Sequence, residues 1–269
     1  MIDIHCHILP GIDDGAKSLE ESLLMARRAV EDGIHTIVAT PHTLNGIYIN
    51  STREVTPKVT SLQETLSENH IKLQLYVGAD VYLCPHMLEL IGNGDAGTIN
   101  NARKYILLEL PSQVVPPGVK DEIFSLKLNG ITPIISHPER NLAIQHNIDI
   151  LYEFVSMGAL CQVTAMGITG DFGGMVMQCA ERLLKHRLVH IIASDAHSSD
   201  SRPPILSQAV EAAAEIMGSY DDAERMVTEV PAAILSGDMP EIPEPIPAKQ
   251  GHGFRKIKSV LALICTAFF

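Results

Sequence analysis

Two stretches decide the fold: Ile2-Asp3-Ile4-His5-Cys6-His7 and Thr36-Ile37-Val38-Ala39-Thr40-Pro41-His42. Each is a short run rich in apolar and β-branched residues that ends in histidine. Such runs read as strands buried on both faces, as in parallel sheets. Between them, Ser18-Leu19-Glu20-Glu21 has the spacing of a helix capping box, with the serine oxygen accepting an amide and the glutamate reaching back. Leu23, Leu24, Ala26 and Val30 then line one side of a helix that Gly33 closes. Strand, helix, strand is the repeating unit of α/β folds.

The unit recurs along the chain. Further strands are predicted over 73–78, 105–110, 132–136, 160–164 and 189–194, with helices around 54–69, 85–91, 117–129, 148–157 and 174–187. Seven strands separated by helices predict an α/β fold, either a βα barrel or an open doubly wound sheet. No linker-like composition interrupts residues 1–236, which are assigned to one domain. Residues 237–269 read as a tail. Proline recurs through 239–247, followed by Lys249, Arg255, Lys256 and Lys258 and an apolar end over 260–269. The proline stretch is expected to be extended. The apolar end is too short to span a bilayer, so membrane contact is expected to be weak or indirect at most.

Composition narrows the function. The 269 residues include 32 acidic and 20 basic side chains, a net charge of −12, which argues against a general nucleic-acid binder. The five cysteines form no Cys-x-x-Cys pair, which excludes that type of zinc module and disfavours a disulfide framework. The histidine motif starts where a signal peptide would have to lie, so a reduced, cytoplasmic protein is expected. Histidine, with 12 copies, is the unusual entry in the composition.

Its placement carries the chemistry. The predicted strands end in His5 and His7, in His42, in Asp80, in Glu109, in His137 and in Asp195 with His197. Carboxyl ends of barrel strands converge on one face, where active sites are built. Neutral imidazoles and carboxylates together suit zinc, manganese or iron. Five histidines and three carboxylates exceed what one ion can use, and Asp13 or Asp14 adds another carboxylate. Two or three ions sharing carboxylates are the expected outcome, since crowded acids would otherwise repel one another. Arg140 and Arg202 lie in loops on the same face, where planar guanidinium forks suit a phosphoryl group. The remaining histidines are read as surface or packing residues, and Cys6 as core.

These motifs resemble a known family. His5-x-His7, Asp13-Asp14-Gly15, Pro41-His42, His137-Pro138-Glu139-Arg140 and Ala193-Ser194-Asp195-Ala196-His197 followed by Arg202-Pro203-Pro204 are similar to the polymerase and histidinol phosphatase (PHP) superfamily. Within it, the chain resembles the bacterial manganese-dependent tyrosine-protein phosphatases of capsular and exopolysaccharide loci. The resemblance implies a distorted seven-stranded βα barrel with a trinuclear centre. It implies as ligands His5, His7, Asp14, His42, Asp80, Glu109, His137, Asp195 and His197, with Arg140 and Arg202 on the phosphate and His42 able to assist the leaving group. It implies two or three divalent ions, manganese first, with iron, zinc or magnesium as alternatives. The implied partner is a bacterial tyrosine autokinase whose phosphorylated tail is the substrate. One departure stands out: Asp80 occupies a position where the family usually has glutamate. Its carboxylate is one methylene short, roughly 1.5 Å against a bond tolerance of about 0.2 Å, which predicts a shifted strand or a weaker ion.

Three rival readings fit the same motifs. Another PHP phosphoesterase, such as a histidinol-phosphate phosphatase or a nuclease, would use the same metals. An amidohydrolase also begins with His-x-His. An inactive barrel could serve as a kinase-binding regulator.

Overall fold

The computed structural model of the chain describes residues 1–248. The predicted features at 249–269, basic residues and apolar end, lie outside the described residues.

Nine parallel-paired strands are found among the described residues: β1 (Ile2–Cys6), β2 (Thr36–Ala39), β3 (His42–Thr43), β4 (Gln74–Val77), β5 (Asp80–Tyr82), β6 (Tyr105–Glu109), β7 (Thr132–Ser136), β8 (Leu160–Thr164) and β9 (Ile191–Ala193). They form two sheets, β1-β2-β4 and β3-β5-β6-β7-β8-β9. This corrects the expected seven strands in one barrel. The predicted runs at 36–40 and 73–78 are each followed by a second short strand, and the ladder changes partner at each break. The first break falls at Thr40-Pro41, where proline lacks a ladder donor. The second falls at Gly78-Ala79. A Cβ on Gly78 would lie 2.6 Å from the Val38 side chain, so only glycine lets the neighbouring strand come this close. The ladders do not close into one barrel. Edge strand β1 instead meets the segment after β9 through Asp195 N to His5 O at 2.8 Å and His7 N to Ala196 O at 2.9 Å.

Helices cover the outside. The predicted helices appear as Thr52–Glu68, Met87–Asn93, Val119–Leu128, Asp149–Ser156 and Gly174–Lys185. Helix Leu19–Glu31 starts on Ser18, whose hydroxyl accepts from Glu21 N at 3.3 Å. Only half of the expected capping box forms, because the Glu21 carboxylate turns instead to Ser199 N at 2.6 Å. Among the helices not anticipated from the sequence, Ser207–Met217, Tyr220–Arg225 and Glu229–Ser236 return the chain to β1 and β9, where Val227 O accepts from Ile2 N and Met226 O from Ile192 N. The proline stretch has no helix or strand over 240–247 and lies along the body, with Ile246 N donating to His186 O. No helix among the described residues is long and apolar enough to cross a membrane.

The period-two alternation of the strands sorts the core into two layers. Ile106, Leu108, Ile135, Cys161, Val163 and Ile192 pack in the larger apolar layer, together with the buried faces of the helices. Ile4, Leu107, Ile134, Leu160, Ile191 and Ala193 pack with one another, joined by Val230 and Ile234 of the last helix. Continuing the second set along each strand gives the rows Tyr105-Leu107-Glu109, Thr132-Ile134-Ser136, Leu160-Gln162-Thr164 and Ile191-Ala193-Asp195. Each row begins largely apolar and ends polar. The polar ends of these rows position the site.

Candidate metal centre

The polar ends gather nine side chains into four overlapping groups whose ligand atoms lie within 4.8 Å of one another. One group is His7, Asp14, His42 and His197, and a second is His5, His7 and Asp80. The others are His5, His137 and Asp195, and His42, Asp80 and Glu109. Shared members make this one cluster. Backbone strain accompanies it: His137 and Asp195 both hold left-handed φ, +34° and +50°. Non-glycine residues in that region concentrate at functional sites.

Several atoms in the cluster fit cations. His42 Nδ1, Asp80 Oδ2 and His137 Nε2 are buried and make no hydrogen bond. His5 Nε2 and His7 Nε2 face each other at 3.2 Å. Their other ring nitrogens are committed, His5 Nδ1 donating to Gln162 Oε1 at 2.9 Å and His7 Nδ1 to Asp13 Oδ2 at 2.7 Å. Two imidazole lone pairs cannot share that gap unless a proton or a metal ion sits between them. Burial pushes His5 down to about 3, against the attraction of Asp195 and Asp80, so this ring is neutral. At His7 burial also opposes charge, but hydrogen bonds to Asp13 and Asp195 outweigh it and raise the ring to about 10. Positive charge is therefore strongly favoured at this point. Asp195 and Asp80 are held well below the ordinary carboxylate range despite burial, Asp195 by His5, His7 and both arginines and Asp80 by His5, His137 and His42. Glu109 moves up, through burial and the charge of Asp80.

The structure separates residues that the sequence could not. Asp13 faces away from the cluster, orienting His7 and accepting from Gly15 N and His42 N. Asp14 faces inward, with Oδ1 at 3.6 Å from His42 Nε2 and 3.5 Å from His197 Nε2. His42 shows its opposite nitrogen, Nδ1, to Asp80 Oδ2 at 3.1 Å and Glu109 Oε2 at 3.6 Å. One neutral ring offers one lone pair, so it serves a single ion at a time. Ser136 Oγ donates to Asp80 Oδ1 at 3.2 Å, which leaves Oδ2 turned to the cluster.

Three contributors were not anticipated. The sequence offers Asp13 only as an alternative ligand to Asp14, not as the residue that orients His7. Gln162 fixes the tautomer of His5 from β8, a strand with no imidazole or carboxylate at its end, and its one signal in the sequence is a polar residue inside an apolar run. Phe172 lies under both guanidiniums, with Arg140 Cζ at 5.5 Å and Arg202 Cζ at 5.6 Å from the ring centre. Both arginines reach Asp195 Oδ2, Arg140 Nη1 at 2.5 Å and Arg202 Nη2 at 2.7 Å. Arg202 Nε is buried without a partner. Glu139, beside Arg140 in sequence, is buried and accepts from Thr164 N. Of the histidines read as non-functional, His190 is buried at the start of β9, and none of those described joins the cluster. Cys6 is buried, and burial lifts its thiol well above the ordinary range, so it is not a ready nucleophile.

A sequence family described as capsular polysaccharide synthesis, CpsB/CapC, matches residues 1–236. The chain belongs to this family. Tyrosine-protein phosphatase YwqE of Bacillus subtilis (strain 168) is 35% identical over 256 residues, covering 94% of this chain and 100% of YwqE. Tyrosine-protein phosphatase CpsB of Streptococcus pneumoniae is 31% identical over 232 residues, covering 84% of this chain and 95% of CpsB. Among solved structures, one from work on YwqE and CpsB, described as unique metal-dependent tyrosine phosphatases, superposes with a TM-score of 0.88 at 35% identity. It covers 93% of this chain and 100% of that one. A β-aspartyl dipeptidase from Fervidobacterium islandicum AW-1 superposes with a TM-score of 0.53 at 15% identity, covering 92% of this chain and 76% of that one, a likeness of fold alone.

Proposed function

We propose that this CpsB/CapC-family chain is a metal-dependent protein-tyrosine phosphatase, acting in the cytoplasm on a phosphotyrosine-bearing protein of capsular or exopolysaccharide synthesis. A bacterial tyrosine autokinase tail is the substrate this reading names. Residues 1–236 are the catalytic unit, an α/β fold of two parallel sheets whose ladder is interrupted at Pro41 and Gly78. The observation that carries the reading is the pair of guanidiniums converging on Asp195 at the edge of a nine-residue ligand cluster.

His5, His7, Asp14, His42, Asp80, Glu109, His137, Asp195 and His197 would hold two or three divalent ions, manganese first. When bound, such ions supply Lewis acidity and lower the pKa of water so that it can attack phosphorus near neutral pH. The protein's own groups do the rest. Arg140 and Arg202 each have donors beyond the one on Asp195 Oδ2, and these bind the phosphoryl oxygens and stabilise charge as it develops there. Phe172 steadies both guanidiniums by cation–π contact. Without ions His42 is raised above its ordinary pKa: burial lowers it, but the attraction of the nearby Asp80 and Glu109 carboxylates prevails. Holding an ion through one ring nitrogen, it would keep an N–H on the other that can donate to the departing phenolate. That leaving group is a fair one, so no strong acid is required, and no cysteine nucleophile is used.

Steady-state kinetics test the assignment. Manganese-loaded protein is expected to hydrolyse a phosphotyrosine peptide with far higher kcat/KM than histidinol phosphate or an oligonucleotide. Preference for either of the latter would replace this reading with another phosphoesterase, and no turnover on any of them would favour a regulator.

A further inference from the structure

Large apolar side chains stand exposed on the loops around the metal centre. Ile47 is 79% and Ile49 76% exposed, on the loop that follows β3. This loop is a built turn. Leu44 N donates to Tyr48 O at 3.0 Å, and Asn45 Oδ1 accepts from Ile47 N and Tyr48 N at 3.0 and 2.8 Å. Asn50 Nδ2 ties the far end to Ile12 O and His42 O. Gly46 supplies the left-handed step, at φ +85°. Between the two isoleucines, Tyr48 stacks its ring on His42, with centroids 6.3 Å apart and planes within 11°. The turn therefore holds an aromatic ring against the metal cluster and displays two large aliphatic side chains beside it.

The loops after β6 and β7 repeat the pattern. Val114 and Leu142 are both exposed, and their loops are pinned together by Asn141 Nδ2 on Val114 O and Pro111 O and by Leu142 N on Ser112 O. Neither 44–50 nor 111–118 contains a charged residue, in a chain of net charge −12. Large apolar side chains exposed beside a site suit an interaction surface.

We propose that the Ile47–Ile49 lip, with Val114 and Leu142, docks the polypeptide flanking the phosphotyrosine and favours segments with large apolar residues next to it. The proposal rests on the tyrosine-phosphatase reading and adds a sequence preference to it. A segment that brings its phosphotyrosine to the metal cluster lays its neighbours near these loops, and the two uncharged stretches 44–50 and 111–118 discriminate them by apolar contact. Covering the two isoleucines is worth about tenfold or more in affinity.

The test compares the parent with the double variant Ile47→Ser/Ile49→Ser, both manganese-loaded. Substrates are p-nitrophenyl phosphate and two phosphotyrosine peptides, one flanked by leucine and isoleucine, one by glycine and serine. Both changes are on exposed side chains and leave the Asn45 and Asn50 hydrogen bonds in place. The proposal expects unchanged p-nitrophenyl phosphate turnover and an about tenfold loss of kcat/KM on the apolar peptide, carried by KM, with little change on the polar one. An unchanged ratio between the two peptides overturns it. So does an equal loss on all three substrates, which would place the effect in the metal site. Turnover of p-nitrophenyl phosphate with neither peptide cleaved by the parent would remove the tyrosine-phosphatase reading itself, and the docking surface with it.

Discussion

At their amino ends the strands carry Ile2, Tyr105, Leu160 and Ile191, packed with Val230 and Ile234 of the last helix. At their carboxyl ends the inward rows carry Glu109, Thr164 and Asp195, and His5 stands beside them near the end of β1. The same backbone thus serves two opposed purposes within a few residues. Burying imidazoles and carboxylates costs free energy unless each is paired, hydrogen-bonded or metal-bound. The apolar end contributes hydrophobic stabilisation that offsets this cost, roughly 1.5–3 kcal/mol for each large side chain fully buried. Stability and chemistry are separated along the strand direction, so changes at the two ends are expected to have different consequences.

The largest effect is expected at the carboxyl end. His5→Ala or Asp195→Ala should reduce hydrolysis of p-nitrophenyl phosphate by at least about a thousandfold, as expected for groups that act as a unit. Cys6→Ser, which alters the opposite face of the same strand, should leave most of the activity. A dead Cys6→Ser beside an active His5→Ala would break the comparison and point to a thiol mechanism.

Gln162 sharpens it further, because it touches a proposed ligand without being one. Gln162→Leu should weaken metal binding about 10- to 100-fold, read by calorimetric titration with manganese, since His5 Nδ1 then loses its acceptor. Gln162→Glu keeps an acceptor and should restore much of the affinity. Equal affinity in the parent and the leucine variant would show that the tautomer of His5 is fixed by other means.

At the amino end the expected effect is on stability alone. Burial lowers His190 from its ordinary value of 6.5 to about 4, and its Nδ1 accepts from Cys161 N at 3.0 Å. As pH falls below 6.5 the unfolded chain takes up the proton first, so the native state loses stability progressively until His190 itself protonates near 4. The loss is roughly 3 kcal/mol at its full extent. His190→Asn keeps an acceptor for Cys161 N and removes the titration. Urea denaturation between pH 7 and 4 should show a shallower acid decline, with neutral-pH activity unchanged. An activity loss there would mean that the two ends are coupled.

This division along the strands was partly legible in the sequence. The histidines and acids at strand ends stand out because buried parallel strands are otherwise apolar, and a charged group after such a run has few structural uses. The interrupted ladder was not legible. Pro41 marked an end to β2, but nothing local distinguishes a strand that stops from one that changes sheet. Asp13 and Asp14 are chemically identical neighbours; the resemblance points to Asp14 as the ligand, but only the turn shows that Asp13 orients His7. Gln162 and Phe172 act through residues distant in sequence, His5 on one side and two arginines on the other. Glu21 had a local partner in the capping box, and a tertiary contact with Ser199 N took its place. Local propensity gives way where a long-range hydrogen bond is available.

The most direct test of the central claim is to count metal ions per chain by elemental analysis while following phosphotyrosine hydrolysis through chelation and manganese re-addition. Two or three ions per folded chain are expected, with activity lost as they leave and regained as manganese returns. A chain that binds one ion or none, or that keeps its activity after complete chelation, would contradict the account.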